Sequence, residues 1–187
     1  YLVIGESVAL IETGLSTSSG AIVRGIQDLG IGPLDISHIL VTHIHLDHAG
    51  AAGILAREFP RAEVLVHPVG IPHLIDPTRL VNSSRRALGE FGNSYGLDLV
   101  VPTEAGRVKP ARECDVIDLG STKLTIMETP GHAPHHICIR EQSTNGVFVG
   151  DTAGVYFPET DALSLTTPPP AFALALSNQS INRLKAL

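Results

Sequence analysis

The sequence predicts a protein of the α/β class, because short apolar segments with strand character alternate with segments of helical periodicity. Seven segments are predicted strands, at residues 2–4, 8–11, 37–42, 62–67, 123–129, 137–140 and 147–149. Helices are predicted between and after them, at residues 22–29, 50–59, 78–88 and 171–187. We find no internal repeat and no linker that would separate a second domain.

Two neighbouring elements of the N-terminal half have the clearest signals. Residues 37–42 (S-H-I-L-V-T) are a short, largely apolar run with β-branched residues, which is typical of a buried strand. Residues 50–59 then place Leu55 and Phe59 at helical spacing, and Pro60 ends the predicted helix. A strand followed by a helix is therefore predicted on either side of residues 43–49.

The C-terminal half contains signals of antiparallel pairing. Residues 123–129 alternate apolar and polar side chains, as a half-buried strand does. Residues 137–140 and 147–149 follow, and Asn145 and Gly146 between them form a strong hairpin signal. We therefore expect a sheet here whose strands are joined by tight turns.

Composition limits the classes of protein that fit. The chain has 187 residues, which suits one domain with a real core, and only 4% are aromatic, so the core should be aliphatic. The net charge of −6 argues against extensive nucleic-acid contact. No apolar run is long enough to span a membrane, and no basic leader is visible. We therefore expect a cytoplasmic protein with a small-molecule substrate and no nucleic-acid or membrane partner, and we leave a homodimer open.

The two cysteines, Cys114 and Cys138, are too few and too far apart for a disulfide framework or a zinc knuckle. We expect both to be reduced and buried, as small hydrophobic residues.

A dense group of metal-binding residue types occurs at residues 42–50 (T-H-I-H-L-D-H-A-G). Imidazoles and a carboxylate together suit Zn²⁺ and, depending on the geometry, Fe or Mn. The group lies between the predicted strand and helix, where open α/β sheets bind their ligands. Because alternate residues of an extended turn point to opposite sides, the side chains could divide between two neighbouring ions.

The pattern H-x-H-x-D-H on a strand-to-helix turn resembles the signature of the metallo-β-lactamase superfamily, a dinuclear metal hydrolase fold. Three further segments agree in order: A-L-I-E-T-G at 9–14, with Glu12 where Asp is more usual, T-P-G-H at 129–132, and Gly150-Asp151-Thr152. The resemblance implies one domain over residues 1–187, built as a four-layer αββα sandwich in which helices flank two mixed β-sheets. Residues 71–96 would be an insertion that forms a lid.

The resemblance also implies the ligands of two metal ions, expected to be Zn²⁺ with Fe or Mn as alternatives. The implied set is His43, His45 and His132 for a first metal, Asp47 and His48 for a second, and Asp151 as a bridge. A metal-bound, bridging hydroxide would attack an ester, thioester, lactone or phosphoester. Asp47 would be catalytic, because it would orient the hydroxide and pass a proton to the leaving group.

One part of the family pattern is missing. The family normally supplies a last histidine well beyond the bridging aspartate, whereas the final histidine of this chain is His136. The simplest expectation is that the sequence is part of a longer protein, incomplete at both ends. Two other classes stay open: a mononuclear iron dioxygenase acting on persulfides through His43, His132 and Asp151, and a metal-stabilised domain without catalytic activity.

Three other histidines have several interpretations. We expect His38, ahead of its strand, to be a surface or edge residue. His67 could pack through a hydrogen bond or line the site. His136 could bond a metal ligand from outside the coordination sphere, pack, or contact substrate.

Overall fold

Two compact units make up the fold, which a computed structural model describes for residues 1–187. The first unit contains Tyr1–Ala111 with Leu119–Ser121, and the second contains Arg112–Asp118 with Thr122–Leu187. The strands are Leu2–Ile4 (β1), Val8–Ile11 (β2), Ile36–Leu40 (β3), Glu63–Val66 (β4), Val108–Pro110 (β5), Val116–Asp118 (β6), Lys123–Glu128 (β7), Ile137–Glu141 (β8), Val147–Phe148 (β9), Val155–Phe157 (β10) and Ala162–Ser164 (β11). The α-helices are Ser19–Asp28 (α1), Leu46–Ala49 (α2), Ala52–Glu58 (α3), Ile71–Ile75 (α4), Thr78–Leu88 (α5) and Leu174–Leu184 (α6).

The first unit contains a five-stranded sheet in the order β1-β2-β3-β4-β5. The pair β1–β2 is antiparallel, and the pairs from β2 to β5 are parallel. Each parallel pair is connected through helices, as parallel pairing requires: α1, then α2 and α3, then α4 and α5. The carboxyl ends of β2, β3 and β4 therefore lie at one edge of this sheet.

An aliphatic core covers this sheet, as the low aromatic content predicts. Ile39 and Val64 from the strands and Leu55 from α3 are fully buried, and Phe59 is the one aromatic residue of the cluster. Burying side chains of this size contributes about 1.5–3 kcal/mol each. Burial of these side chains therefore helps to fix β3 and α3 on either side of the histidine-rich turn.

Arg107 fixes the far end of α3. Its Nε donates to the carbonyl of Ala62 at 3.0 Å, and its Nη2 donates to the carbonyl of Phe59 at 2.6 Å. A further guanidinium nitrogen bonds the carbonyl of Ala56. Carbonyls at a helix C-terminus lack intrahelical donors, so the Arg107 side chain caps the C-terminus of α3.

The second unit contains a four-stranded sheet in the order β6-β7-β8-β9, a separate β10–β11 hairpin and α6. All pairs of the four-stranded sheet are antiparallel. The predicted hairpin turn joins β8 to β9, and Asn145 there has a positive φ of 59°. The family resemblance implies two mixed sheets, but only the five-stranded sheet is mixed. The connections within the second sheet are too short for a parallel crossover.

The structure corrects two expectations about single residues. Cys114 is exposed, not buried, while Cys138 is buried as expected. Cys114 lies in a turn with a φ of 65°, and its thiol faces the carboxylate of Glu113 at 3.4 Å. His38 lies within β3 and not ahead of it.

No helix in the structure could cross a bilayer, since the longest, α5 and α6, have 11 residues each. The proposed lid, residues 71–96, contains α4, α5 and a 3₁₀ segment. The role of this segment as a lid stays a prediction. The same holds for the single-domain assignment and for the location and partners predicted from composition.

Candidate metal centre

The first cluster of candidate ligands lies where the chain leaves β3 and enters α2. His43 is fully buried, His45 and His48 are partly buried, and the side chain of Asp47 is 50% exposed. This is the carboxyl edge of the parallel strands, as predicted. The structure therefore brings four of the six predicted ligands together in the first unit.

The three imidazoles of this cluster are in contact. The ring centroid of His43 lies 4.5 Å from that of His45 and 4.2 Å from that of His48. His43 Nε2 lies 3.0 Å from His45 Nδ1. Ligand atoms of His43 come within 4.8 Å of those of His45 and of His48, which is close enough for a shared ion in each pair.

Oxygen partners orient two of these rings. Thr42 Oγ1 lies 3.0 Å from His43 Nδ1, and Glu12 Oε2 lies 3.3 Å from His48 Nδ1. A carboxylate only accepts hydrogen bonds, so Glu12 favours a proton on Nδ1 of His48, while Nε2 faces the Asp47 carboxylate at 3.6 Å. Metal-binding histidines generally have this arrangement, in which one nitrogen donates to an oxygen and the other coordinates.

Glu12 connects the end of β2 to both ends of the cluster. Its Oε1 accepts the main-chain N–H of Thr42 at 3.0 Å, while no well-aligned donor reaches the buried Oε2. Its φ of 67° is in the left-handed region, which costs about 1–3 kcal/mol for a residue other than glycine. The next residue, Thr13, donates from both its main-chain N–H and Oγ1 to the carbonyl of His48. Residues 9–14 therefore hold both ends of the histidine-rich turn by hydrogen bonds, so the A-L-I-E-T-G motif has a structural role.

The other two predicted ligands, His132 and Asp151, lie together in the second unit. His132 is in the turn after β7 and is 4% exposed, and Asp151 follows β9. His132 Nε2 lies 3.2 Å from Asp151 Oδ2. The side chain of Asp151 is 14% exposed.

Thr166, which was not predicted from the sequence, contacts both of these residues. His132 Nδ1 lies 3.0 Å from the carbonyl oxygen of Thr166, so Nδ1 carries a proton and donates it, while Nε2 faces the Asp151 carboxylate. Thr166 Oγ1 donates to the main-chain carbonyl of Asp151 at 2.6 Å. No sequence pattern marks Thr166, because its partners are 34 and 15 residues away.

The helix α6 supports the turn that carries His132. The main-chain N–H of Ala173 donates to the carbonyl of Gly131 at 2.8 Å, and Ser180 Oγ donates to that of Pro130 at 2.7 Å. Arg183 Nη1 reaches the carbonyl of Glu128 at 3.1 Å. The helix therefore runs along the T-P-G-H segment and fixes its main chain.

Two histidines outside these clusters have local roles. His67 Nδ1 accepts the main-chain N–H of Val69 at 3.2 Å, which favours the packing interpretation. His38 Nδ1 contacts Ser37 Oγ at 2.8 Å. Burial lowers the pKa of His38, and the charge of Glu63 opposes that shift. Neither residue approaches the histidine-rich turn through these contacts.

The chain belongs to the metallo-beta-lactamase superfamily, whose sequence model matches residues 1–187. The metallo-beta-lactamase fold-containing protein ST1585 of Sulfurisphaera tokodaii is 29% identical over 98% of this chain and 66% of its own length. The crystal structure of ST1585 superposes with a TM-score of 0.81 at 28% identity, covering 97% of this chain and 67% of that one. This match confirms the predicted fold class.

Two other relatives are similar over smaller parts of their own chains. The probable metallo-hydrolase YqjP of Bacillus subtilis is 27% identical over 81% of this chain and 51% of its own length. The N-acyl homoserine lactonase AttM of Agrobacterium fabrum is 30% identical over 61% of this chain and 39% of its own. The chain thus spans about two thirds of ST1585 and about half of YqjP.

Proposed function

We propose that the protein is a metal-dependent hydrolase that cleaves a carbonyl ester bond, with a lactone as the first substrate class to test. The observation that carries this proposal is the orientation of the candidate ligands. In His48 and in His132 an oxygen partner faces Nδ1, which leaves Nε2, the nitrogen that faces the carboxylate of Asp47 and of Asp151 respectively, to coordinate a metal. The lactone is chosen because AttM is an N-acyl homoserine lactonase.

The residues present fit divalent metal ions. In the ligand set that the resemblance implies, His43, His45 and His132 would hold a first ion, Asp47 and His48 a second, and Asp151 would serve both. Four imidazoles and two carboxylates form a borderline donor set, which suits Zn²⁺ best and Fe or Mn next. The Glu12 carboxylate, 3.3 Å from His48 Nδ1, places a negative charge beside the proposed ligands, which favours a cation nearby.

Bound divalent ions would supply a hydroxide at neutral pH by lowering the pKa of water from 15.7 towards about 7. The side chains of this chain then have distinct tasks. Asp47, at 50% exposed, can reach both solvent and a substrate. It would orient the attacking water, accept the proton that this water loses and pass that proton to the leaving alkoxide, a role that contributes about 10²–10⁴-fold in rate. Thr42, Glu12 and Thr166 keep the histidine rings in the orientation that ligation needs.

The test is hydrolysis by the purified, metal-analysed protein of a panel containing a lactone, an ester, a thioester and a phosphodiester. We expect lactone hydrolysis that requires bound metal. Asp47→Asn should keep metal and lose about 10²-fold or more in kcat, while His43→Ala should lose metal as well. His38→Asn is the matched control, because His38 lies in β3 of the same unit with Ser37 as its partner.

Three outcomes would overturn the proposal in different ways. Asp47→Asn with bound metal and normal turnover would remove the proposed acid. One iron per chain with oxygen uptake on a persulfide would indicate the dioxygenase class instead. Tight metal binding without turnover of any substrate would favour a metal-stabilised, non-catalytic domain.

A further inference from the structure

A buried polar network lies beside Asp151 in the second unit. Its members are Thr129, His136, Cys138 and Thr152, and none of them is more than 5% exposed. Buried polar groups are expensive unless each finds a partner, so a network of this kind fixes one arrangement of its side chains. The metal-binding assignment uses none of these four residues.

The centre of this network is the ring of His136, which contacts the main chain of Asp151. The N–H of Asp151 donates to His136 Nε2 at 3.2 Å. Because a main-chain N–H can only donate, Nε2 must carry a lone pair, and the ring proton is on Nδ1. The ring therefore acts on Asp151 as a hydrogen-bond acceptor.

Two threonines hold the opposite side of the ring. His136 Nδ1 lies 2.9 Å from Thr129 Oγ1 and 3.0 Å from Thr152 Oγ1, so its N–H is shared between two hydroxyl oxygens. Thr152 Oγ1 in turn donates to Thr129 Oγ1 at 3.3 Å. Cys138 Sγ lies 3.2 Å from Thr129 Oγ1 and completes the network. Rotation of the ring about its bond to the main chain would break several of these contacts at once.

The main chain of Asp151 is thus held at both of its polar groups by side chains. His136 accepts its N–H, and Thr166 Oγ1 donates to its carbonyl at 2.6 Å. Asp151 follows β9, a strand of only two residues, so strand pairing alone fixes it poorly. The two side-chain contacts supply what the short strand does not.

We propose that His136 is a positioning residue for Asp151, acting through the Asp151 main chain and the buried threonine network. This inference rests on the proposed function, in which the Asp151 carboxylate contacts both metals. The bond from His136 sets where that carboxylate lies relative to His132, whose Nε2 is 3.2 Å away. Full burial of His136 excludes the direct substrate contact left open by the sequence.

Two amide variants of His136 separate positioning from packing. The Oε1 atom of Gln reaches about as far as Nε2 of histidine, so His136→Gln keeps an acceptor for the Asp151 N–H. The shorter amide of His136→Asn ends near the position of Nδ1, so it keeps contact with Thr129 and Thr152 and loses Asp151. Both variants are polar and smaller than histidine, which makes them a matched pair for folding.

The measurement is titration of each metal-free protein with Co²⁺, followed by its visible absorption spectrum and by competition with a chelator. We expect His136→Gln to bind Co²⁺ within about threefold of the wild type, with the same spectrum. His136→Asn should bind about 10–100-fold more weakly, with shifted absorption bands, as loss of an outer partner of a ligand does. Thr166→Val, which removes the hydroxyl at the other end of the Asp151 main chain, should resemble His136→Asn.

Equal Co²⁺ affinity and identical spectra for His136→Asn and His136→Gln would overturn the inference, whatever their thermal stabilities. A wild-type protein that binds no Co²⁺ would overturn the proposed function and this inference together. Wild-type binding with no difference between the two variants would overturn only the positioning role.

Discussion

Replacing Gly131 by alanine tests whether the packing of α6 fixes the turn that carries His132. Gly131 has a φ of 149°, in a region that side chains rarely adopt. A Cβ at this position would collide with the main chain of α6, since Ser177 N would be only 2.5 Å from it. Main-chain atoms of a helix cannot move aside as a flexible side chain can, so either the helix or the turn must shift.

The expected loss of stability follows from two contributions. The φ value costs about 1–3 kcal/mol for a residue other than glycine, and overpacking against a rigid neighbour costs about 1–3 kcal/mol more. Their sum is about 2–6 kcal/mol, which is large against a total stability of about 5–15 kcal/mol. At about 2–4 °C per kcal/mol for a chain of this size, a loss of 3 kcal/mol lowers Tm by about 6–12 °C.

The assay is thermal unfolding of metal-free protein, followed by Co²⁺ binding. Gly131→Ala should lower Tm as above and weaken Co²⁺ binding, because His132 is the next residue. The matched control is Gly25→Ala in α1, where a Cβ meets nothing within 4 Å. An alanine there should raise stability by about 0.5–1 kcal/mol. A Gly131→Ala protein with the Tm and the Co²⁺ affinity of the wild type would refute the reasoning.

Three further predictions concern charges and bound metal. Hydrogen bonding from Arg183 lowers the pKa of Glu113 from 4.5 to about 2, so the pair should stabilise the fold above pH 4.5 and lose that effect as the pH falls towards 2. Because the Glu113 side chain is 36% exposed, we expect Arg183→Met to lower the free energy of unfolding by only about 1 kcal/mol at pH 7, as measured in urea. The same decrease near pH 2 would contradict this. Glu12→Gln should weaken Co²⁺ binding about 10-fold by removing the carboxylate beside His48, and unchanged affinity would exclude that role. Adding Zn²⁺ at about 100 times its Kd should stabilise the metal-free protein by about 2.7 kcal/mol, and an unchanged Tm would exclude binding to the folded state.

The elements around the site could be predicted because their signals are local. The bounds of α5 agree with the prediction at residues 78–88, α3 lies within the predicted helix 50–59, and β3 begins one residue before the predicted strand 37–42. The strands β10 and β11 were missed, because all six of their residues are exposed and no alternation of apolar and polar residues marks a buried face. Cys114 was also mispredicted. Free cysteines are usually buried, but Cys114 lies in an exposed turn where its φ is positive.

The candidate ligands could be named from the sequence, but the contacts by which Thr166 and Glu12 orient the site could not. All six candidate ligands belong to short motifs, and they lie in one cluster in each unit. Thr166 contacts His132 across 34 residues and Glu12 contacts Thr42 across 30. Such contacts depend on tertiary structure, so a single sequence contains no local pattern that reveals them.

The hydrogen bonds of His43 give an independent physical reason to expect a cation at the first cluster. If its Nδ1 donates to Thr42 Oγ1, its Nε2 is an acceptor, and His45 Nδ1 must donate to it across 3.0 Å. In that arrangement the Nδ1 proton of His45 is shared with Nε2 of His43, which is itself a candidate ligand. A divalent ion between the two nitrogens would replace one shared hydrogen bond with two coordinate bonds of about 2.0–2.1 Å. Because ligation requires neutral imidazoles, ion binding at this pair should release protons and weaken as the pH falls.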